Sequence, residues 1–342
     1  MAAGRDERFL VTGALGCIGA WTVRALVQDG VPVVAFDLGS DARRLRLIMT
    51  EEELARVTFV QGDITELAEV EAALDADDIT NIVHLAALQV PFCRADPPLG
   101  ALVNVVGTVN IFEAVKRRAD RMGPIVYTSS IGMYGADDAD AATGHLAENA
   151  TAHPLNHYGV YKLANEGNAR VYWLDDGLSS IGLRPMTVYG VGRDQGMTSG
   201  PTKAIVAAVL GVPYRIAFGG STVFQYADDV ARTLIAASRS GLAGANVFNL
   251  GGSPASMTQL VETIEAIVPD AAGLVTFDPA PLPFPDEIDH DGLAAVGAVP
   301  VTPFADGIAA SVEIYRDLAR RGRLIPTEQG LEPPATGVAT PA

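Results

Sequence analysis

The stretch Phe9-Leu-Val-Thr-Gly-Ala-Leu-Gly-Cys-Ile-Gly19 decides how the beginning of the chain folds. Its first residues form a short apolar run with the length of a buried strand, and residues 20–28 have the apolar spacing of a helix. Gly13, Gly16 and Gly19 lie at this junction, where a tight turn, a close approach of the backbone and close helix packing require glycine. Because a helix beginning in such a loop presents free backbone N–H groups, the stretch predicts a pyrophosphate site.

An acidic residue, Asp37, follows the second apolar run, Val31-Pro-Val-Val-Ala-Phe36. It stands about 20 residues beyond the glycines, the spacing at which a carboxylate can bind an adenosine ribose. The same carboxylate would repel a 2′-phosphate, so the pattern favours NAD over NADP. Arg43 and Arg44 oppose this interpretation, because a loop that folds back could bring them to such a phosphate. The alternative is that Asp37 begins a turn and that the arginines lie on a solvated helix.

Length and composition are those of a globular enzyme with one large domain or two unequal ones. No apolar run reaches the ~18 residues of a membrane span, and the short polar start leaves no room for a signal peptide. The net charge of −17 argues against nucleic acid and anionic membranes as partners. Because Cys17 and Cys93 are the only cysteines, we expect no disulfide framework and a cytoplasmic location. No metal site is predicted.

Strand and helix signals alternate over about the first 185 residues. This alternation predicts an α/β fold, a Rossmann-type doubly wound parallel sheet with helices on both faces. Asp63 and Ile64 follow the third strand, Val57–Val60, and could contact an adenine ring. The alternative for Asp63 is an N-cap turn before the next helix.

The pattern changes beyond Arg184, and residues 211–224 are expected to be glycine-rich and irregular. We therefore expect residues 1–185 to form an NAD-binding domain. Residues 186–324 should form a smaller, mixed lobe that binds substrate, with some segments returning to the first domain. Residues 325–342 are rich in Pro, Gly, Thr and Ala and are expected to be disordered.

Tyr158 and Lys162 lie one helical turn apart and so share a helix face. A free tyrosine, with a pKa near ~10, is a weak base at neutral pH. A neighbouring ammonium favours the phenolate, which could take a proton from a substrate hydroxyl while hydride leaves the same carbon. Lys162 could also hold the nicotinamide ribose, whereas Tyr161 is expected only to pack.

The fifth strand ends in Thr128-Ser-Ser130, which could supply a third catalytic group. The hydroxyl of Ser130 could hydrogen-bond the reacting oxygen and stabilise its charge, and Ser129 is the other candidate. Both hydroxyls could instead only terminate the strand. His84, inside the fourth strand, is expected to be packed and hydrogen-bonded rather than a ligand.

Together these motifs make the chain resemble the extended short-chain dehydrogenase/reductases, the NAD-dependent epimerase/dehydratase family, over roughly residues 8–320. The glycine stretch is similar to that family's TGxxGxxG. The resemblance implies a catalytic set of Ser130, Tyr158 and Lys162. It also implies a homodimer through long helices at 98–119 and 157–176, whose apolar faces are wide. The other matching motifs are His84–Ala87, Asn104–Thr108, Thr128–Ser130, Tyr158–Lys162 and Leu183–Pro185.

The predicted cofactor is NAD and the other predicted partner is a small-molecule substrate. Substrate contacts are expected from Ser130, Met186, Thr187, Arg193 and Lys203. The residues expected to contact NAD are Gly13, Gly16, Cys17, Ile18, Gly19, Asp37, Asp63, Ile64, Leu85, Ala86, Ala87, Asn104, Thr128, Tyr158, Lys162 and Pro185.

The chain departs from the family's nucleotide-sugar members at the substrate. Those members commonly carry an Arg-Asp pair shortly before the acidic pair that matches Asp228-Asp229, and the arginine binds the diphosphate. Thr222 and Val223 stand at those positions here. A diphosphate needs cationic partners, for which Arg193, Lys203 and Arg215 remain as candidates. Ile131-Gly132 also replaces the Asp-Glu pair of the family's sugar dehydratases.

The sequence therefore favours an NAD-dependent oxidoreductase that interconverts a secondary alcohol and a ketone on a small sugar, sugar acid or related hydroxy compound. The alternative is an epimerase that retains NAD, acts on a sugar or nucleotide sugar, and returns hydride to the other face. A catalytically silent NAD-sensing protein is a third possibility, against which the intact Tyr158 and Lys162 argue.

Overall fold

The computed structural model describes residues 7–140 and 144–331. The helices are α1 (Cys17–Gln28), α2 (Arg43–Ile48), α3 (Glu51–Leu54), α4 (Leu67–Ala76), α5 (Val90–Ala95), α6 (Pro97–Ala101), α7 (Gly107–Lys116), α8 (His157–Asp176), α9 (Gly200–Leu210), α10 (Ala227–Arg239), α11 (Met257–Ile267) and α12 (Phe304–Arg320). The strands are β1 (Phe9–Thr12), β2 (Val33–Asp37), β3 (Val57–Gln61), β4 (Asn81–His84), β5 (Ile125–Thr128), β6 (His145–Leu146), β7 (Ser180–Arg184), β8 (Thr187–Tyr189), β9 (Tyr214–Ile216), β10 (Ser221–Tyr226), β11 (Ala245–Asn249), β12 (Ser253–Ser256), β13 (Val275–Phe277) and β14 (Glu287–Ile288).

Seven parallel strands form the main sheet in the order β11-β7-β5-β4-β1-β2-β3. Every residue of β1, β4, β5 and β7 is buried, as expected for a parallel sheet covered on both faces. The strand order reverses between β1 and β4, so their carboxyl ends open a crevice of the kind in which such sheets bind ligands. The predicted Rossmann-type fold is confirmed.

Helices cover both faces of this sheet. On one face α1 packs against α10, and the side chain of Trp21 is fully buried among apolar residues of the sheet. On the other face α4, α7 and α8 pack together, with Phe112 stacked on Tyr172 and edge-on to Tyr127. Alternate residues of β1, β2, β4 and β5 contribute to the two cores, because successive side chains of a strand point to opposite faces.

Residues 186–324 form smaller sheets and helices beside the main sheet. β10 pairs with β8 in parallel and with β12 antiparallel, and β9 pairs with β13. β11 instead pairs with β7 and extends the main sheet. The expected irregularity of residues 211–224 is wrong in part, because this segment contains β9 and the first four residues of β10. These stretches are short, so their sequences carry little periodicity.

The expected disordered tail begins with an ordered segment. Residues Pro326–Gln329 form a 3₁₀ turn, and the side chains of Gln329 and Leu331 are buried. The remainder of that prediction, residues 332–342, lies outside the described residues.

The predicted long helix at 98–119 is divided into α6, a π-helical turn at Leu102–Val106, and α7. Residues Pro97–Lys116 have the length and mean hydropathy, 1.4, of a membrane span, and 44% of the apolar window is buried inside the protein. Asn104 and Thr108 within it are buried and hydrogen-bonded to neighbouring elements, as in the core helix of a folded domain.

Candidate active site

A cavity of about 720 Å³ follows the crevice at the carboxyl ends of β1 and β4. It runs from the glycine loop, past the ends of β4 and β5, to the loop that follows β8. The predicted site residues that line it are Gly13, Gly16, Cys17, Ile18, Gly19, Asp37, Asp63, Ile64, Leu85, Ala86, Ala87, Thr128, Ser130, Tyr158, Lys162, Pro185, Met186 and Arg193.

The glycine loop between β1 and α1 leaves no room for side chains. Gly13 has φ +66°, and a Cβ there would lie 2.7 Å from the backbone nitrogen of Ala86. A Cβ on Gly19 would lie 2.2 Å from the carbonyl oxygen of Gly13, so the helix can pack this close only with glycine. Gly16 caps α1 without a side chain, and no acidic residue stands in the first helical turn. The first turn of α1 therefore fits the diphosphate of a dinucleotide.

Asp37 ends β2 and holds a negative charge beside the glycine loop. Its Oδ2 accepts a hydrogen bond from the backbone nitrogen of Leu15 at 2.9 Å, and its Oδ1 accepts one from Gly39 at 3.1 Å. These two bonds orient the carboxylate at the edge of the cavity. The position fits the ribose of a dinucleotide, and the turn expected as the alternative is present as well.

Asp63 and Ile64 follow β3 and line the same end of the cavity. Asp63 Oδ1 accepts a hydrogen bond from the backbone nitrogen of Thr65, so it also stabilises the turn before α4. Ile64 packs on the helix at Gly107, where a Cβ would come within 2.5 Å of its Cδ1. Both residues contribute to the cavity wall.

His84 is a structural residue, as predicted. Its Nδ1 and Nε2 are hydrogen-bonded to the hydroxyls of Thr12 and Thr108. Burial, with a smaller effect from the positive charge of Lys162, lowers the pKa of His84 to about 3, so the ring is neutral. The Thr12 hydroxyl also accepts from the backbone nitrogen of Leu85, which fixes the start of the segment after β4.

Asn104 is a correction to the predicted cofactor contacts. Its side chain is buried and bonds both the backbone nitrogen and the carbonyl oxygen of Leu88, at 2.7 and 2.9 Å. It does not contribute to the wall of the cavity. Asn104 instead holds the segment that continues from Ala86 and Ala87 along the cavity.

Tyr158, Lys162 and Ser130 come together where β5 ends. Asn156 caps α8 by accepting from the backbone nitrogen of Gly159, which sets the helical phase of the tyrosine and the lysine. Lys162 Nζ lies 5.6 Å from the centre of the Tyr158 ring and donates to the carbonyl oxygen of Thr128 at 2.6 Å. The Ser130 hydroxyl faces the tyrosine from the end of the strand.

The groups that lower the pKa of Tyr158 differ from the expected one. Burial raises the pKa of Tyr158, and the Ser130 hydroxyl and the positive charge of Arg193 oppose that rise. Burial also lowers the pKa of Lys162 to about 8. The serine and the loop arginine therefore favour the phenolate in this structure, whereas the sequence suggested Lys162.

Ser129 is committed elsewhere, which separates the two serine candidates. Its hydroxyl is fully buried and donates to Glu166 Oε1 at 2.5 Å, and Glu166 forms a buried ion pair with Arg184. Tyr161 donates its hydroxyl to the carbonyl oxygen of Pro97 and packs, as expected. Only Ser130 of the two serines is placed toward Tyr158.

The far end of the cavity contains Met186 and Arg193. Arg193 is half-buried and donates from Nη2 to the hydroxyl of Thr198, while its buried Nε has no hydrogen-bond partner in the described chain. No carboxylate among residues 7–140 and 144–331 pairs with it. Gln89 and Phe284 complete this end, and no sequence pattern marked either of them.

Two predicted substrate residues lie outside the cavity. Thr187 is fully buried and its hydroxyl bonds that of Thr222 at 2.7 Å, because β8 and β10 are neighbouring strands. Lys203 lies on α9 against Gly330, away from the cavity wall.

Arg215, the other candidate for a diphosphate, is exposed and paired with Asp278. Val223 is buried in β10, so neither it nor Thr222 offers a contact.

Asp194 was missed by the sequence analysis. It is buried and binds both Arg43 and Arg44, the arginines that raised the possibility of NADP. The segment between β8 and α9 gives no periodic signal, and the partners of Asp194 lie far away in the sequence. Nothing in the sequence pairs these residues.

Comparisons with known proteins identify a matching family model and similar sequences. The model of the NAD dependent epimerase/dehydratase family matches residues 9–251. A UDP-glucose 4-epimerase from Mycolicibacterium smegmatis is 32% identical over 319 residues, which cover 91% of this chain and 99% of that protein.

Two solved structures extend the comparison. The UDP-glucose 4-epimerase of Thermus thermophilus, in complex with NAD, has a TM-score of 0.75 at 25% identity, covering 90% of this chain and 99% of its own. An L-threonine dehydrogenase from Cupriavidus necator has a TM-score of 0.76 at 20% identity, covering 91% and 99%. The second likeness is one of fold, and it shows that this fold also accommodates a dehydrogenase.

Proposed function

The chain belongs to the NAD-dependent epimerase/dehydratase family, and we propose that it interconverts a secondary alcohol and a ketone on a small sugar, sugar acid or related hydroxy compound. NAD is its cofactor. The observation that carries the proposal is the meeting of Ser130, Tyr158 and Lys162 in a cavity where the guanidinium of Arg193 pairs with no carboxylate of the described chain. The role of each of these residues is part of the proposal.

Bound NAD would supply the hydride acceptor and donor at the substrate carbon. Tyr158 exchanges a proton with the substrate oxygen through its Oη, and Ser130 donates a hydrogen bond to the same oxygen. Lys162 carries its charge below its pKa of about 8 and is oriented by the carbonyl of Thr128. The hydroxyl of Ser130 and the charge of Arg193 stabilise the phenolate once Tyr158 has given up its proton.

The substrate is assigned by the charges that remain available. Arg215 is paired with Asp278, Lys203 lies away from the cavity wall, and Lys162 lies beside Tyr158. A nucleotide diphosphate needs several charge-assisted hydrogen bonds, and Arg193 alone could make only part of them. We therefore assign a substrate without a nucleotide, in which Arg193 contacts a carboxylate or hydroxyl groups.

An NAD-retaining epimerase is the second candidate, because the M. smegmatis relative is a UDP-glucose 4-epimerase and aligns with this chain over 99% of its own length. The same three catalytic residues would serve both reactions. The two differ in whether hydride returns to the opposite face of the substrate and whether NAD stays bound. A silent NAD-sensing protein would not need Tyr158 and Lys162 in this geometry.

We also propose a homodimer through α5 to α8. Large apolar side chains are exposed on α5, α6 and α8 and on the π-helical turn, where water would otherwise contact them. Such a surface suits a two-fold contact between copies. These side chains are Phe92, Leu99, Leu102, Val106, Val160, Leu163, Val171, Trp173 and Leu174.

An NAD⁺ reduction screen over sugars, sugar acids and polyols tests the proposed function. We expect one class of hydroxy compound to produce NADH with added cofactor, and Tyr158→Phe to abolish the signal. Nucleotide released from the purified protein by denaturation identifies a retained cofactor. Interconversion of two UDP-sugars without net NADH would replace the dehydrogenase with the epimerase.

A further inference from the structure

Asp194 binds two arginines from a distant part of the chain. Its Oδ2 accepts from Arg43 Nη2 at 2.9 Å, and its Oδ1 accepts from Arg44 Nη2 at 2.7 Å and Nε at 3.1 Å. The side chain of Asp194 is 3% exposed, whereas those of Arg43 and Arg44 are 30% and 16% exposed. Buried, charge-assisted bonds of this kind are strong and directional.

These arginines stand beside the carboxylate proposed to bind the ribose. Arg44 Nη1 donates to the carbonyl oxygen of Leu15, and the backbone nitrogen of Leu15 donates to Asp37 Oδ2. Arg43, Arg44, Asp37 and Asp194 all line the same cavity. Two guanidinium groups near an adenosine ribose are what a 2′-phosphate would need.

We propose that Asp194 is a determinant of cofactor specificity, because it withholds Arg43 and Arg44 from a 2′-phosphate. The charges of the two arginines and the two aspartates cancel, so the cluster offers a 2′-phosphate no net attraction. NADP binding would require the buried ion pairs to break. This inference rests on the proposed position of the ribose beside Asp37, and it adds a second carboxylate from the far half of the chain to that site.

A purely structural role for Asp194 is the competing explanation. The loop that carries it is also held by bonds that do not involve Asp194. Trp21 Nε1 donates to the carbonyl oxygen of Val191 at 2.9 Å, and the backbone nitrogen of Gly192 donates to the Tyr315 hydroxyl at 3.2 Å. The loop therefore keeps other attachments when the charge of Asp194 is removed.

The test is calorimetric titration of the full-length protein and its Asp194→Asn variant with NAD⁺ and with NADP⁺. Asparagine keeps the size of the side chain, removes the carboxylate partner of Arg44, and leaves Arg43 only its 3.7 Å contact with Asp41. One or two new charge-assisted bonds to phosphate should strengthen NADP⁺ binding by about tenfold, while NAD⁺ affinity changes by less than about threefold. Asp41→Asn is the matched control, because Asp41 is an exposed partner of Arg43 at 3.7 Å, and its NADP⁺ affinity should change little.

Arg43→Gln in the otherwise unchanged protein provides a second measurement that does not depend on the folding of Asp194→Asn. Because Arg43 already binds Asp194, Arg43→Gln alone should leave NADP⁺ affinity unchanged. Added to the Asp194→Asn variant, Arg43→Gln should remove the gain in NADP⁺ affinity. An Asp194→Asn variant that weakens both cofactors equally, or leaves their affinity ratio unchanged, would overturn the proposal. Wild-type protein that binds NADP⁺ as tightly as NAD⁺ would overturn it too, whereas failure to bind NAD⁺ would contradict the cofactor site itself.

Discussion

The proposed cofactor end and the proposed substrate end of the cavity are built from different kinds of contact. At the cofactor end the backbone itself forms the wall, with Gly13 against Ala86 and the first turn of α1 facing inward. At the substrate end, side chains such as Gln89, Arg193 and Phe284 converge from distant segments. The first kind of site depends on local spacing, and the second depends on how the whole chain folds.

The largest effect is expected where the two ends meet, at Tyr158. Tyr158→Phe keeps the ring and removes the group that exchanges the proton. General acid–base catalysis contributes ~10²–10⁴ in rate, so kcat should fall by at least that range while NAD⁺ affinity is preserved. Steady-state kinetics and a cofactor titration on the same preparation measure both. Near-wild-type turnover would show that another group exchanges the proton.

The cofactor end alone should be damaged by Gly19→Ala. The new Cβ would lie 2.2 Å from the carbonyl oxygen of Gly13, and relieving such overpacking costs about 1–3 kcal/mol. Because the glycine loop must move, NAD⁺ affinity, measured by calorimetric titration, should fall by about tenfold to a hundredfold.

Gly167→Ala is the control for that substitution. Gly167 lies inside α8, and a Cβ there would have no atom within 4 Å other than those of the helix itself, while alanine favours a helix. This variant should bind NAD⁺ normally and unfold at the same or a higher temperature. Equal loss of NAD⁺ affinity in both variants would mean that the glycine loop is not the cofactor site.

The substrate end alone should respond to Arg193→Gln. Loss of a charged hydrogen-bond donor is worth about 1.5–3 kcal/mol, so the substrate KM should rise by about tenfold or more with little change in NAD⁺ affinity. Arg215→Gln, at an exposed arginine paired with Asp278, should leave both unchanged. A matching loss of NAD⁺ affinity in Arg193→Gln would instead place the guanidinium on the cofactor.

An effect of pH on stability, rather than on catalysis or binding, is expected from the buried His84. Burial lowers the pKa of His84 to about 3, whereas an unfolded histidine titrates near ~6.5. Between these values the unfolded chain binds a proton that the folded chain does not, so stability falls as the pH falls through this window. Thermal unfolding across the range should show a shallower pH dependence in His84→Gln. An unchanged dependence would mean that other groups cause it.

This difference between the two ends also explains what the sequence could predict. The glycine loop, Asp37 and the Tyr158–Lys162 pair were found because strand ends and helical turns place residues at fixed spacings. Asn104 lies within the predicted helix at 98–119, but its amide bonds Leu88 and does not line the cavity. Sequence position alone does not say which way such a side chain turns.

The substrate residues were less predictable for a physical reason. Thr187 follows Met186 in the chain, yet it begins β8, and its hydroxyl bonds Thr222 of the neighbouring strand β10 instead. Asp194 could not be found, because its partners Arg43 and Arg44 meet it only in the folded protein. The charge that Arg43 and Arg44 can offer a ligand is therefore known only once their partner is known.

Titration of the NAD-loaded protein with UDP measures most directly whether the proposed substrate end can bind a nucleotide diphosphate. With Thr222 and Val223 buried and Arg215 exposed and paired with Asp278, UDP should give no saturable heat and no rise in melting temperature at millimolar concentration. Micromolar binding of UDP would contradict the assignment of a substrate without a nucleotide and would favour the nucleotide-sugar epimerase.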